Sequence, residues 1–257
     1  MDKIIISIVT YNSKDIFLTL DKLQEELIPS GAYEVVIYDN GSEADYRKKL
    51  ATYPFVRLIE SGENRGFGYG HNRVLLTAEN RYGIICNPDI LVAEKDVSLM
   101  VDKIKAQDLA AVCPKVLNGD GSTQYLVRHR LAVFDYFLRF VSIGFLNRLF
   151  NKRLADFECR SLPDDQDSYI KMGSGCFMLV DLEKFKEIGG FDERFFMYFE
   201  DNDLCLRFGK NGDKILYTPE ANVTHLYGKG AHKSFRLFRI FMSSMGKFFG
   251  KWGWRFF

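Results

Sequence analysis

Five short apolar runs, each separated from the next by a helix-like stretch, constrain this chain more than any other feature. Ile4–Val9, Tyr33–Tyr38, Val56–Ile59, Tyr82–Cys86 and Leu109–Cys113 read as strands. The first is continuous and β-branched, as expected of a strand covered on both faces. Ile16, Leu20, Leu23 and Leu27 recur at helical spacing behind an N-cap at Asn12 or Ser13. Further helices are expected near Glu43–Ala51, from the loop Asn64–Asn72 through about Glu79, and near Lys95–Ala106. Strands alternating with helices up to residue 113 predict βαβ units: an α/β fold with a mostly parallel central sheet flanked by helices.

Three of these strands end in polar residues: Thr10 to Ser13, Asp39 to Ser42, and Asn87 to Asp89. Open α/β sheets bind ligands outside the carboxyl ends of their strands. Turns are polar for their own reasons, so the recurrence at three ends, not any single one, predicts a site. Gly66, Gly68 and Gly70 alternate ahead of the fourth strand. That is not the dinucleotide fingerprint, which follows a first strand. The glycines either let backbone approach a ligand, with helix N–H groups facing an anion, or form a flexible turn.

Beyond residue 113 the chain changes character. Asn118-Gly119-Asp120-Gly121 is a hairpin-turn signal between Val116-Leu117 and Gln124–Val127. Over 128–153, Phe134, Tyr136, Phe137, Phe140, Phe145 and Phe150 are interleaved with Arg128, Arg130, Arg139, Arg148, Lys152 and Arg153, with Asp135 the single acid. Such a basic-aromatic helical insertion suits a membrane surface, or packs on the core with a solvated basic face. Lys171–Asp181 returns to strand character with Gly173 and Gly175 at its head, and Leu182–Ile188 is a short helix. Then Glu200, Asp201 and Asp203 crowd into four residues. Acids so close repel one another, and fit a cation site, a proton transfer or the first turn of a helix ending at Asn211-Gly212. Lys214–Thr218 and Ala221–His225 read as strands. His225, at a strand end, is either structural or a metal ligand.

The C-terminal stretch 229–257 spaces Phe235, Phe238, Phe241, Met245, Phe248 and Trp252 as an amphipathic tail, although Gly246, Gly250 and Gly253 weaken the helix. After Glu220 there are seven Lys and Arg and no acid. Net charge over the whole chain is only +1, which gives no reason to expect nucleic acid. Five scattered cysteines without a CxxC suggest reduced thiols in a cytosolic compartment. No signal-peptide pattern opens the sequence, and no apolar run reaches the ~18 residues that span a bilayer.

Taken in order, Val9-Thr10-Tyr11-Asn12, Asp39-Asn40-Gly41-Ser42, Asn64-Arg65-Gly66-Phe67-Gly68, Asn87-Pro88-Asp89, Gly189-Gly190-Phe191-Asp192-Glu193, Glu200-Asp201-Asn202-Asp203-Leu204 and His225 resemble a family 2 glycosyltransferase of the GT-A fold. The branch most similar is that of bacterial rhamnosyltransferases of O-antigen and surface polysaccharide synthesis. The resemblance implies one GT-A domain over 1–228, with the tail at 229–257. It implies a nucleotide-sugar donor, dTDP-rhamnose first, with Thr10, Tyr11 and Asn12 on base and ribose and Asp39 and Asn40 at the nucleoside. Asn64, Gly66, Phe67 and Asn72 would face the donor, and Asn87 stands where the family's metal motif has its first Asp. Asp89 would bind Mg2+ or Mn2+, with His225 as a further ligand; Asp201 would be the base of an inverting transfer, with Glu200 and Asp203 next in line. The implied acceptor is a polyprenyl-diphosphate-linked saccharide, and the implied place is the cytoplasmic face of the bacterial membrane, peripherally bound. A homodimer is a further possibility. Galactofuranosyl, mannosyl or N-acetylglucosaminyl donors stay open, as do a nucleotidyltransferase and a non-catalytic binding module.

Overall fold

The computed structural model describes residues 3–141, 144–226 and 235–257. Each apolar run becomes a strand: β1 (Ile4–Thr10), β2 (Tyr33–Asp39), β3 (Val56–Glu60), β4 (Tyr82–Cys86) and, shifted by two residues, β6 (Ala111–Leu117). A short β5 (Ile90–Val92) directly follows the Asn-Pro-Asp turn. β7 (Ser168–Ile170), β8 (Phe177–Asp181) and β9 (Ile215–His225) complete one sheet in the order β3-β2-β1-β4-β8-β6-β9-β5, with β7 beside β9.

The half of the sheet built from β3, β2, β1 and β4 is parallel throughout. β8 enters antiparallel between β4 and β6, while β6 and β9 run parallel. Thr10 pairs with Asp39 and Ile8 with Cys86, so the three polar strand ends emerge side by side along one edge.

Helices α1 (Ile16–Glu26) and α4 (Glu94–Ala106) cover one face, burying Leu20, Leu23, Met100 and Ile104 against Ile6, Ile8 and Ile84. The other face carries α3 (Phe67–Leu75), α8 (Leu182–Glu187), α9 (Glu200–Lys210) and α10 (Phe235–Trp252), joined by Phe185, Phe191, Phe199, Phe208 and Phe248. α2 (Ala44–Leu50) precedes β3, and α5 (Val133–Val141), α6 (Gly144–Leu149) and α7 (Asn151–Phe157) make up the basic-aromatic segment. All five cysteines are free.

Four expectations change. Gln124–Val127 is no strand; the turn at Asn118–Gly121 forms, but only Leu117 and Thr123 make a bridge beyond it. The expected strand Lys171–Asp181 shortens to β8, Phe177–Asp181, because its two glycines sit in the loop that joins β7 to β8. The two strands expected around Pro219 are one, β9, accommodated by a bulge opposite Pro114 and Lys115. α10 runs through Gly246 and Gly250 and stops at Gly253, whose φ of +91° is a left-handed exit. Burial of Phe241, Met245, Phe248 and Phe249 outweighs the glycine propensity cost of roughly 1 kcal/mol each. The expected boundary at 228–229 lies outside the described residues.

Candidate active site

The loops at the ends of β1 and β2 close on each other. Asn40 N donates to Thr10 O at 2.9 Å, and Asn12, at φ +52°, receives Glu43 N on Oδ1 at 3.0 Å. Asn12 N donates to Ser42 Oγ at 2.9 Å, and Thr10 Oγ1 pairs with the hydroxyl of Tyr46. Asp39 is fully buried; its Oδ2 accepts Ser42 N at 3.0 Å, while Oδ1 has no partner. An unpaired buried carboxylate oxygen costs free energy unless a donor arrives. Tyr11, which follows Thr10 at the end of β1, stands half-exposed, at 51%.

The glycine-rich loop is held by the same corner. Asn40 Nδ2 donates to Gly66 O at 3.1 Å, and Asn64 Oδ1 accepts Gly66 N at 3.0 Å. The alternating glycines answer to protein neighbours and form no flexible turn, since Gly68 and Gly70 lie within α3. A Cβ on Gly66, at φ +99°, would lie 2.1 Å from Phe196 O; on Gly68, 2.8 Å from Phe191 Cβ; on Gly70, 2.7 Å from Val9 Cγ2. They let α3 lie against β1 and against the 191–196 loop. Asn72 is committed there too: its Nδ2 donates to Phe191 O at 2.9 Å and its Oδ1 accepts Phe191 N at 2.8 Å. His71 lies fully buried beneath, paired with Ser7 Oγ at 2.8 Å, and burial holds it neutral, down at about 3.

Past β4, Asn87, Asp89 and His225 meet, because β5 pairs antiparallel with the end of β9. Gln124, which the sequence did not single out, sets the chemistry of this corner. Its Nε2 donates to His225 O at 3.0 Å, so its Oε1 faces His225 Nδ1, also at 3.0 Å. An amide oxygen only accepts, so Nδ1 carries a proton, and in the neutral imidazole Nε2 then presents its lone pair. That lone pair is 3.2 Å from Asp89 Oδ1 and 3.3 Å from Asn87 Nδ2. Asp89 Oδ1 is itself buried without a hydrogen-bond donor. A carboxylate oxygen and an imidazole lone pair facing each other are a donor set for a divalent cation. Among the described residues no third His, Cys, Asp or Glu joins them, so a cation here would take its further ligands from a bound anion or water.

The acid cluster opens α9, entered through two left-handed residues, Tyr198 at φ +71° and Phe199 at φ +68°. Strain of this sort at non-glycine positions gathers at functional sites. The three acids diverge. Asp203 is buried and faces α10, paired with Arg207 Nε at 2.8 Å and Lys251 Nζ at 2.6 Å, and accepting Trp252 Nε1–H at 2.8 Å. It is a tether between helices. Asp201 Oδ1 accepts Asn202 N at 2.8 Å and Nδ2 at 2.7 Å, and Oδ2 accepts only Gly175 N, at 3.1 Å. Oδ2 therefore keeps a lone pair to spare. Burial raises the Asp201 carboxyl above its ordinary value, opposed by those N–H donors and by Arg128. Glu200 is raised further, by burial and then by Asp201's charge, and its Oε2 has no partner. Glu200 thus holds its proton while Asp201 ionises first.

Arg128 belongs to this interior and not to the basic surface that its sequence neighbours suggested. It is buried, donates to Tyr125 O and Val127 O, and lies 4.6 Å over the Phe157 ring. Burial lowers it to about 10. One turn links the two chemistries: Cys176 O accepts Asn87 N at 2.8 Å, and Gly175 N holds Asp201.

The profile described as Glycosyl transferase family 2 matches residues 5–188. An N-acetylglucosaminyl-diphospho-decaprenol L-rhamnosyltransferase of Mycobacterium tuberculosis (strain CDC 1551 / Oshkosh) is 30% identical over 204 residues. That alignment covers 74% of this chain and 66% of the relative, so the chain spans just under two thirds of the relative's length. Rhamnosyltransferase WbbL of Escherichia coli (strain K12) is 24% identical over 235 residues, 85% of this chain and 83% of that one. GalNAc-T7, solved with UDP, GalNAc and Mn2+, superposes with a TM-score of 0.66 at 17% identity, over 88% of this chain and 44% of its own. Mannosyltransferase PcManGT from Pyrobaculum calidifontis, solved with GDP-Man and Mn2+, gives 0.60 at 18% identity, over 90% and 59%. At these identities the structural likeness is one of fold.

Proposed function

The chain belongs to glycosyl transferase family 2, and from that premise we propose that it transfers a sugar, first of all L-rhamnose from dTDP-β-L-rhamnose, with inversion, onto a hydroxyl of a lipid-linked saccharide. The observation that carries this reading is the pairing of two sites across one turn. On one side lie Asp89 Oδ1 and the Nε2 lone pair of His225. On the other lies Asp201 with one oxygen half-satisfied.

On this reading the nucleoside sits over the ends of β1 and β2. Asp39 Oδ1 lacks a donor that a nucleoside N–H or O–H supplies, and Tyr11 offers a half-exposed ring at the end of β1. Thr10, Asn12 and Asn40 shape this pocket, and their hydrogen bonds within the loops hold it ready. Asn64, Gly66 and Phe67 bound it along the donor's length. Asn72 acts from behind, by fixing Phe191 against α3. Asp89 and His225 would hold Mg2+ or Mn2+, which when bound neutralises charge on the departing diphosphate. Asn87 orients His225 and contributes no charge. Asp201 Oδ2 takes the proton of the attacking hydroxyl, and Glu200, kept protonated, leaves it the single charge of the pair. Rhamnose is favoured among sugars because two relatives carry that sugar in their names. The lipid-linked acceptor rests on the first of those names.

A donor panel of dTDP-rhamnose, UDP-galactose, UDP-N-acetylglucosamine and GDP-mannose, scored for nucleotide release, tests the proposal. We expect release from dTDP-rhamnose that stops in EDTA and in Asp89→Ala. Unimpaired release by either the chelated enzyme or the variant would refute the metal's part. Release only from another donor would reassign the sugar.

A further inference from the structure

α10 has two working faces. Phe241, Ser244, Met245, Phe248 and Phe249 are buried in the core. Arg236, Arg239, Ile240, Ser243 and Lys247 recur at helical spacing on a second face. With Phe196 and Phe235 they line an open groove of about 470 Å³. Among the described residues, three cations and no carboxylate line it. Lys247 Nζ donates to Arg194 O at 2.5 Å, whereas Arg236 and Arg239 are exposed and make no ion pair among the described residues.

The groove adjoins the candidate active site. Phe196 lines it, and the carbonyl of Phe196 accepts Phe67 N at 2.9 Å, against Gly66 at the head of α3. Ser244 Oγ donates to Met197 O at 2.8 Å, tying the groove wall to the loop that delivers Glu200 and Asp201.

Guanidinium groups bind phosphate oxygens through paired N–H donors, and apolar walls cover a hydrocarbon. Free phosphate would leave Phe196, Phe235 and Ile240 without a partner; a neutral lipid would leave the Arg236 and Arg239 guanidinium groups without one. The ligand that uses both is a diphosphate joined to a hydrocarbon chain. We infer that this groove binds the lipid-linked diphosphate of the acceptor, through Arg236, Arg239 and Lys247, and so presents the adjoining sugar to Asp201. The role of the ligand as acceptor rests on the transferase reading above; the binding chemistry of the groove does not.

Calorimetric titration of the full chain in EDTA with farnesyl diphosphate, farnesol and inorganic pyrophosphate isolates the groove from the Asp89 corner. Farnesyl diphosphate should bind more tightly than either of the others. Arg236→Ala/Arg239→Ala should weaken it by roughly 10–100-fold, with the melting temperature unchanged. Binding no tighter than that of pyrophosphate, or unmoved by the double substitution, overturns the inference. Phosphatidylglycerol vesicles test the other source of lipid phosphate. If the substitutions weaken vesicle binding as much as farnesyl diphosphate binding, the groove is a general membrane contact and the inference falls. Nucleotide release separates the two readings: farnesyl diphosphate bound through the arginines, with no release from any donor, keeps the groove and discards the reaction.

Discussion

Glu200 and Asp201 are neighbours in sequence, yet only Asp201 is surrounded by donors. Asp201→Asn keeps the shape but cannot accept a proton, so transfer should fall ~10²–10⁴-fold while donor affinity survives. Calorimetry with the donor beside a turnover assay checks the split. Because the Asp201 carboxyl is raised, the acid limb of the wild-type rate should lie at higher pH than an ordinary aspartate's. Glu200 bears on stability with a definite sign. Raised in the folded state, it is protonated there but ionised in the unfolded chain above its ordinary value of 4.5. Its favourable contribution is therefore full below that value and is lost as pH rises. Glu200→Gln should then stabilise the protein at about pH 8 and not at about pH 4 in urea melts. Gln124→Leu removes the acceptor that fixes the His225 tautomer, and should weaken Mn2+ binding 10–100-fold, an order typical of such supporting groups; an unchanged Mn2+ titration would dismiss the tautomer argument.

At the scale of elements, α9 depends on α10 through Asp203. Asp203→Ala leaves Lys251, Arg207 and the Trp252 N–H without their shared partner, at a cost of about 3–5 kcal/mol. Thermal melts and near-ultraviolet dichroism of Trp252 report this directly, and a loss below about 1 kcal/mol would show a surface-like pair instead. β1, β2 and β4 were legible because both their faces are buried, so each reads as an apolar run. β5 and β7, with three residues each, are too short to show periodicity. The strand ends carrying Thr10, Asp39 and Asp89 could be read as a site. Gln124 and Arg128 could not, since an amide after a hairpin turn and an arginine in a basic run look like surface. Nor does sequence separate the three acids of α9: Asp203 faces Lys251 and Asp201 faces Gly175 only once the chain has folded.

At the scale of the molecule, no helix among the described residues is long and apolar enough to cross a bilayer. Large apolar side chains nonetheless reach solvent: Phe145 at 73%, Leu149 at 64% and Phe257 at 74%. The Phe134 and Phe257 rings meet tilted at 5.2 Å, which brings α5 and the 253–257 segment together with Arg139 and Arg255 close by in sequence. We expect reversible binding to anionic vesicles, since each cation near such a surface contributes about 1 kcal/mol. Flotation at low and high salt measures it. Phe145→Ser/Phe257→Ser should reduce flotation without altering the fold, and equal flotation would rule this face out.

The turn between β7 and β8 carries one more consequence, for how such a molecule can diversify. Asn87 hangs on Cys176 and Asp201 on Gly175, while β4 and β8 are locked in register from Tyr82–Asp181 to Cys86–Phe177. The spacing between the Asn87–Asp89 corner and Asp201 is thereby set by two paired strands and one turn. Loops elsewhere can lengthen or shorten without moving one of these two corners relative to the other.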